Sequence, residues 1–207
     1  MSAPDVAGIA GRIAKAPAPG QNSLDDPPPG PTPLKVPLQL AAVVGFAGLM
    51  ALCAQVAVPM VPVPMTLQTF AVLLAAAVLG GRWGAASVLL YLATAALGLP
   101  VLSDGGSGVE RFAGPTAGYL YAFPVAAFLA GEIGRRPAFQ KPLPGLALML
   151  GAHLLILAAG TLWLAAGLGA PEAVVRGFTP FLIGAVVKSA AVVAGAAALR
   201  RLAPFRP

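Results

Sequence analysis

Charged side chains are scarce here. Asp, Glu, Lys and Arg make up 10% of the 207 residues, whereas a soluble domain averages about 25%. Hydrophobic residues make up 58%, and the mean hydropathy is +0.85. So few polar groups cannot cover a surface facing water, which makes lipid the expected solvent. Cysteine is nearly absent. Cys53 is the single one, so no internal disulfide or cysteine zinc cluster can form; lying in an apolar run, it reads as a small core residue. His153 is the single histidine, so there is no H-E-x-x-H metal motif and no Ser-His-Asp set with a plausible base. It reads as a packed or hydrogen-bonded residue, with a cavity-lining role as the lesser alternative. The glycine-rich "DGGSG" lacks a following Lys-Ser/Thr and is not a phosphate loop. No acid falls inside an apolar run away from its ends, where a proton relay or intramembrane protease would normally keep one. These gaps argue against a membrane enzyme, a self-powered ATPase and a metal or cofactor site. The net charge of +6 does not indicate nucleic acid, because the basic residues sit between apolar runs and form no stripe.

Residues 1–35, including "APAPGQNSLDDPPPGPTPLK", are rich in Pro, Ala and Gly and lack the apolar core of a signal peptide. They are expected to be a mostly disordered cytoplasmic tail, with "VAGIAGRIAKA" as a candidate weak interfacial helix. Six apolar segments follow: Val36–Val58, Leu67–Leu79, Gly84–Leu97, Pro115–Ile133, Leu143–Leu168 and Phe178–Leu199. The second and third are short, about 20 Å at ~1.5 Å per residue, against a hydrocarbon core of ~30 Å. The expected fold class is all-α: a polytopic six-helix transmembrane bundle over residues 36–201, with a short C-terminal tail over 202–207. With a cytoplasmic N-terminus, the inner segments hold Arg12, Lys15, Lys35, Arg82, Arg135, Arg136, Lys141, Arg200, Arg201 and Arg206, and the outer loops only Arg111 and Arg176. That asymmetry satisfies the positive-inside rule; the expected location is the cell (inner) membrane, with multiple passes and a cytoplasmic N-terminus. The outer loops "PMVPVPMT", "GLPVLSDGGSGVERFAGPT" and "GAPEAVVRGFTP" carry most of the remaining polar residues, so a site open to the outer face is expected.

Polar residues cluster toward the outer ends of the segments: Gln55 on the first, Thr66, Gln68 and Thr69 at the second, Tyr91 on the third, and Thr116, Tyr119 and Tyr121 at the fourth. Leaving such groups unpartnered in hydrocarbon costs several kcal/mol, so together they suggest a cavity for a small amphipathic molecule. Thr66, Thr116 and Tyr121 can equally be caps or interface anchors, and Tyr119 fits either role. Lys188 is the most pointed case. Gly177 to Leu199 contains no other charged residue, and Lys188 lies about 15 Å from either end of its span at ~1.5 Å per residue. Either it contacts a ligand, for which a carboxylate would serve, or it snorkels or pairs structurally. On the first segment, Ala47 and Ala51 have the spacing that lets helices approach closely in lipid, with Ala54 nearby.

The strings "PVPMTLQTFAVLLAAAVLGGRWGAASVLLYLATAALGLPV" and "FAGPTAGYLYAFPVAAFLAGEI" resemble the BioY family, the biotin-specific substrate-capture (S) components of energy-coupling-factor (ECF) vitamin transporters. The resemblance runs from about Leu38 to Leu199. It implies a six-helix S-component fold and capture of biotin from the outside, with biotin as the transported ligand. It also implies a transmembrane coupling protein and two cytoplasmic ATPase subunits as partners. By position it assigns substrate contact to Gln68, Tyr91, Gly114, Pro115, Thr116, Tyr119 and Lys188, and the coupling surface to Ala47 and Ala51. Many family members read P-F-x-x-G-D-x-x-K near the start of the sixth helix. This chain reads "PFLIGAVVK", with Ala185 in place of the acid. The remaining alternatives are an S component for another small vitamin and a membrane scaffold without a ligand.

Overall fold

The computed structural model describes residues 36–202. The N-terminal tail expected over 1–35 and most of the C-terminal tail lie outside these residues. Helix α1 (Val36–Gln55) leads into a short antiparallel hairpin, β1 (Ala57–Val58) and β2 (Met65–Thr66), registered Ala57 to Thr66 and Val58 to Met65. Helices α2 (Gln68–Leu79) and α3 (Gly81–Ala96) follow. Two 3-10 turns, Ser103–Gly105 and Val109–Phe112, then lead to α4 (Ala117–Gly134). A third 3-10 turn, Pro137–Gln140, precedes α5 (Pro142–Leu168), the short α6 (Ala170–Gly177) and α7 (Phe181–Leu202).

The six apolar segments thus appear as α1–α5 and α7, with shifted ends. The first helix stops at Gln55, short of the expected Val58, because the chain turns there into the proline-rich hairpin. The helices number seven among the described residues, against the six expected, and the addition lies at "GAPEAVVRGFTP". This stretch was expected as loop, and its middle forms α6. Gly169 takes a left-handed backbone, φ +81°, and starts the new helix, with a proline in its first turn, where no amide hydrogen is needed. The helix turns Ala173 fully inward, leaves Val174 and Val175 exposed, and pairs Glu172 with Arg176 one turn later.

Four of these helices, α1, α4, α5 and α7, are long and apolar enough to cross a membrane. Their outer faces agree: Leu52, Leu162, Ile183 and Val187 are all more than 60% exposed. Helix α2 is different. Its 12 residues rise about 18 Å, less than a hydrocarbon core of ~30 Å. It packs against α1, α3, α4 and α7, and Ala71, Val72, Leu73 and Ala75 are completely buried. A helix apolar on all sides belongs in a core, and α2 is the post around which the others stand. Cys53 is buried at the α1 side of that core.

Close approach holds the far end of the α2–α3 hairpin. Gly80 makes the turn with φ +81°. A β-carbon on Gly131 of α4 would overlap the backbone of Gly80 and Gly81, and one on Gly81 would lie 2.5 Å from the Phe128 carbonyl oxygen. Backbone atoms cannot give way as a flexible side chain can, so overpacking here costs at least 1–3 kcal/mol by analogy with filled cores. Gly151, on the exposed face of α5, has nothing within 4 Å of its would-be β-carbon. Gly131→Ala should therefore lower the unfolding temperature in detergent by about 5 °C or more, with Gly151→Ala unchanged. Equal behaviour of the two variants would contradict this packing.

Candidate functional site

The hairpin, the 97–116 connection and the first turns of α2, α4 and α7 meet over a cleft, with the middle of α5 as a further wall. Its wall is mainly apolar, with Val63, Leu102, Leu120, Phe123, Ile156, Leu157 and Phe181 among the lining residues. Set into it are Thr66, Gln68, Thr69, Ser103, Arg111, Thr116, His153 and Lys188. The lining holds two cations and no carboxylate.

A chain of hydrogen bonds joins the wall to the fold. Lys188 Nζ, on α7, donates to the Thr66 carbonyl oxygen at 3.1 Å. The Thr66 hydroxyl accepts from the Gln68 amide nitrogen and donates to Gln68 Oε1, both at 3.3 Å. Gln68 Nε2 donates to the Tyr91 hydroxyl at 2.5 Å, and that hydroxyl donates to the Val101 carbonyl oxygen at 3.0 Å. Four elements distant in sequence are thereby tied: α7, β2 with the start of α2, α3, and the loop that roofs the cleft. Gln55 adds a second tie to that loop, Nε2 to the Leu102 carbonyl oxygen at 3.0 Å.

Lys188 keeps donors to spare. An ammonium has three, and Thr66 takes one. The described residues contain a single ion pair, Glu172 with Arg176 on the exposed face of α6, so neither Lys188 nor Arg111 has a carboxylate within 4 Å there. A partly buried charge without a counter-charge is costly. The cleft is therefore suited to an anion attached to an apolar body.

Of the residues expected at the site, Gln68, Thr116, Tyr119 and Lys188 line the cleft. Tyr91 is 1% exposed and stands behind Gln68, off the lining, where it holds the glutamine amide. Tyr119 turns its ring to the cleft, while its hydroxyl is committed to the Gly177 carbonyl oxygen at 2.7 Å. Its ring packs over Gly160, where no β-carbon would fit. Gly114 and Pro115 are off the lining; the Gly114 carbonyl oxygen accepts from Trp163 Nε1 at 3.0 Å, and Pro115 is exposed. Thr116 sits at the start of α4 without capping it through its side chain. Tyr121 is exposed and holds the Phe112 carbonyl oxygen at 2.7 Å, in keeping with an anchor. Ala47 and Ala51 are partly buried and packed against the core; the small residues exposed on α1 are Ala41, Gly45 and Gly48.

Two polar lining residues, Arg111 and Ser103, are not anticipated by the sequence reading. Arg111 counted in the sequence as an outer-loop topology charge, and only the folding of the 97–116 loop back over the helices brings it to the cleft. Ser103 arrives with the same loop. His153 is both packed and on the lining, so its two sequence readings hold together.

Comparison with known proteins agrees with this geometry. The BioY family model matches residues 31–205. A protein of Pyrococcus horikoshii named "Probable biotin transporter BioY" is 39% identical over 155 residues, covering 75% of this chain and 91% of that protein. "Biotin transporter BioY2" of Lactococcus lactis is 38% identical over 159 residues, covering 75% and 87%. In three dimensions the chain resembles a crystal structure of the S-component for biotin from an ECF-type ABC transporter. The TM-score is 0.74 at 25% identity, with 81% of this chain and 93% of that one covered. By the extent of the family match and the length shared with these relatives, the chain belongs to the BioY family.

Proposed function

We propose that this chain is a biotin-binding S component that captures biotin at the outer face of the membrane for uptake. Biotin joins an apolar body to a carboxylate at one end and a cyclic urea at the other. The observation that carries the proposal is Lys188: an ammonium on the wall of an apolar cleft, bonded to one backbone carbonyl and to no carboxylate among the described residues. It is the carboxylate anchor, with Arg111 as the second cation at the cleft. Gln68, Thr116 and Tyr119 bound the pocket, and Tyr91 fixes Gln68. Gly114 and Pro115 act as backbone of the roof and not through side chains in the cleft.

The short helices α2 and α3 complete a six-span bundle, and α6 lies outside it at the pocket end. The first turn of α3, the connection between α4 and α5 and the end of α7 carry Arg82, Arg135, Arg136, Lys141, Arg200 and Arg201. That charge supports a cytoplasmic N-terminus by the positive-inside rule. The sequence carries no nucleotide motif, so net accumulation needs energy from elsewhere, supplied by a coupling protein and two ATPase subunits. Ala47 and Ala51 remain the proposed coupling surface, reached through their partly exposed side. Vesicles holding this chain alone, without ATPase or membrane potential, should not concentrate biotin; concentration against a gradient would contradict that division of labour.

Binding is tested with the purified chain in detergent. Biotin should raise the unfolding temperature, and thiamine and riboflavin should not; no shift with biotin would refute the proposal. In equilibrium binding, Lys188→Ala should weaken biotin about tenfold or more, about 1.4 kcal/mol. Gln68→Ala should weaken it in the same direction, and unchanged affinity in the lysine variant would remove the anchor role.

A further inference from the structure

Two buried, unpartnered polar atoms on cleft-lining residues have no part in the binding proposed above, Thr69 Oγ1 and His153 Nε2; a hydroxyl can turn to donate or to accept, so the ring nitrogen is the more constrained of the two. His153, on α5, is 2% exposed. Its Nδ1 lies 3.0 Å from the Met149 carbonyl oxygen one turn back, and 2.9 Å from the Ser189 hydroxyl on α7. The Met149 carbonyl oxygen can only accept, which favours the tautomer protonated on Nδ1; in that tautomer the Ser189 hydroxyl does not donate to Nδ1 and Nε2 is an acceptor. The contacts at Nδ1, from its own helix and from α7, fix the plane of the ring. Nε2 is fully buried and has no hydrogen-bond partner. A buried acceptor left unmade is destabilising, and such groups are few in native proteins.

The rest of the wall shows what Nε2 could serve. Lys188 and Arg111 can only donate. The Gln68 amide is already divided between Tyr91 and Thr66. Ala185, which also lines the cleft, offers a methyl group. The hydroxyls of Thr69, Ser103 and Thr116, also on the lining, can donate or accept; an unprotonated Nε2 can only accept, and a cyclic urea presents two N–H donors.

We propose that His153 Nε2 accepts a hydrogen bond from a ureido N–H of bound biotin, and that this contact helps select a cyclic urea. The assignment rests on the biotin reading. Ser189 and the Met149 carbonyl position the ring, and Nε2 touches the ligand.

Two substitutions separate contact from structural support. His153→Asn places an amide near Nδ1, where it can still bond Met149, but leaves no atom at the position of Nε2. His153→Gln reaches the position of Nε2 with an amide oxygen. Labelled biotin is titrated into each purified full-length variant in detergent, with the ligand-free unfolding temperature measured alongside. His153→Asn should weaken binding about tenfold or more, and His153→Gln should stay within about threefold of wild type. Should the asparagine variant not fold, His153→Phe replaces it with the same two outcomes. Wild-type affinity in His153→Asn, or an equal loss in His153→Gln, would overturn the contact. Wild-type protein that binds no biotin would overturn the biotin reading and this assignment with it.

Discussion

A partly buried ammonium without a carboxylate organises this molecule. Lys188 projects from the middle of α7 to the Thr66 carbonyl, and from Thr66 the hydrogen bonds run through Gln68 and Tyr91 to the roofing loop at Val101. One lysine therefore couples the last long helix to the hairpin, the central helix and the loop above the cleft. Its charge stays uncompensated by any described carboxylate. That is costly in an apolar setting, and an anion at the cleft would offset it.

The bundle supports this arrangement through its unusual centre. Helix α2 is too short to carry the thickness of the protein, yet it is buried on all sides and begins directly at Gln68. Its first turn lies at the cleft, so the most rigid element of the fold carries a polar residue of the wall. At its other end, Gly80, Gly81 and Gly131 bring α2, α3 and α4 into backbone contact. Small residues at one end and polar ties at the other fix the height of Gln68 against Lys188.

Much of this was legible in the sequence. Low charge and long apolar runs locate the helices, because in lipid the backbone must satisfy its own hydrogen bonds. Gln68 and Lys188 stood out because each is a polar residue in an apolar run, and both reach the cleft. Other features depend on tertiary contacts that no local pattern carries. Arg111 and Ser103 come to the cleft only through the return of the 97–116 loop. Tyr91 reads as a pocket residue by position but acts one layer behind. Gly114 and Pro115 lie in a motif of the roof and are off the cleft lining. Helix α6 was concealed by Gly and Pro, which signal a loop as readily as a helix start. For His153, the sequence showed a polar ring in a span, and only the structure shows which nitrogen is occupied.

The central claim is that Lys188 meets the anionic end of the ligand. It is tested most directly by comparing biotin with its neutral amide in wild type and in Lys188→Ala, by equilibrium binding in detergent. Wild type should prefer biotin by about tenfold or more, and the alanine variant should lose this preference. The same preference in both proteins would contradict it.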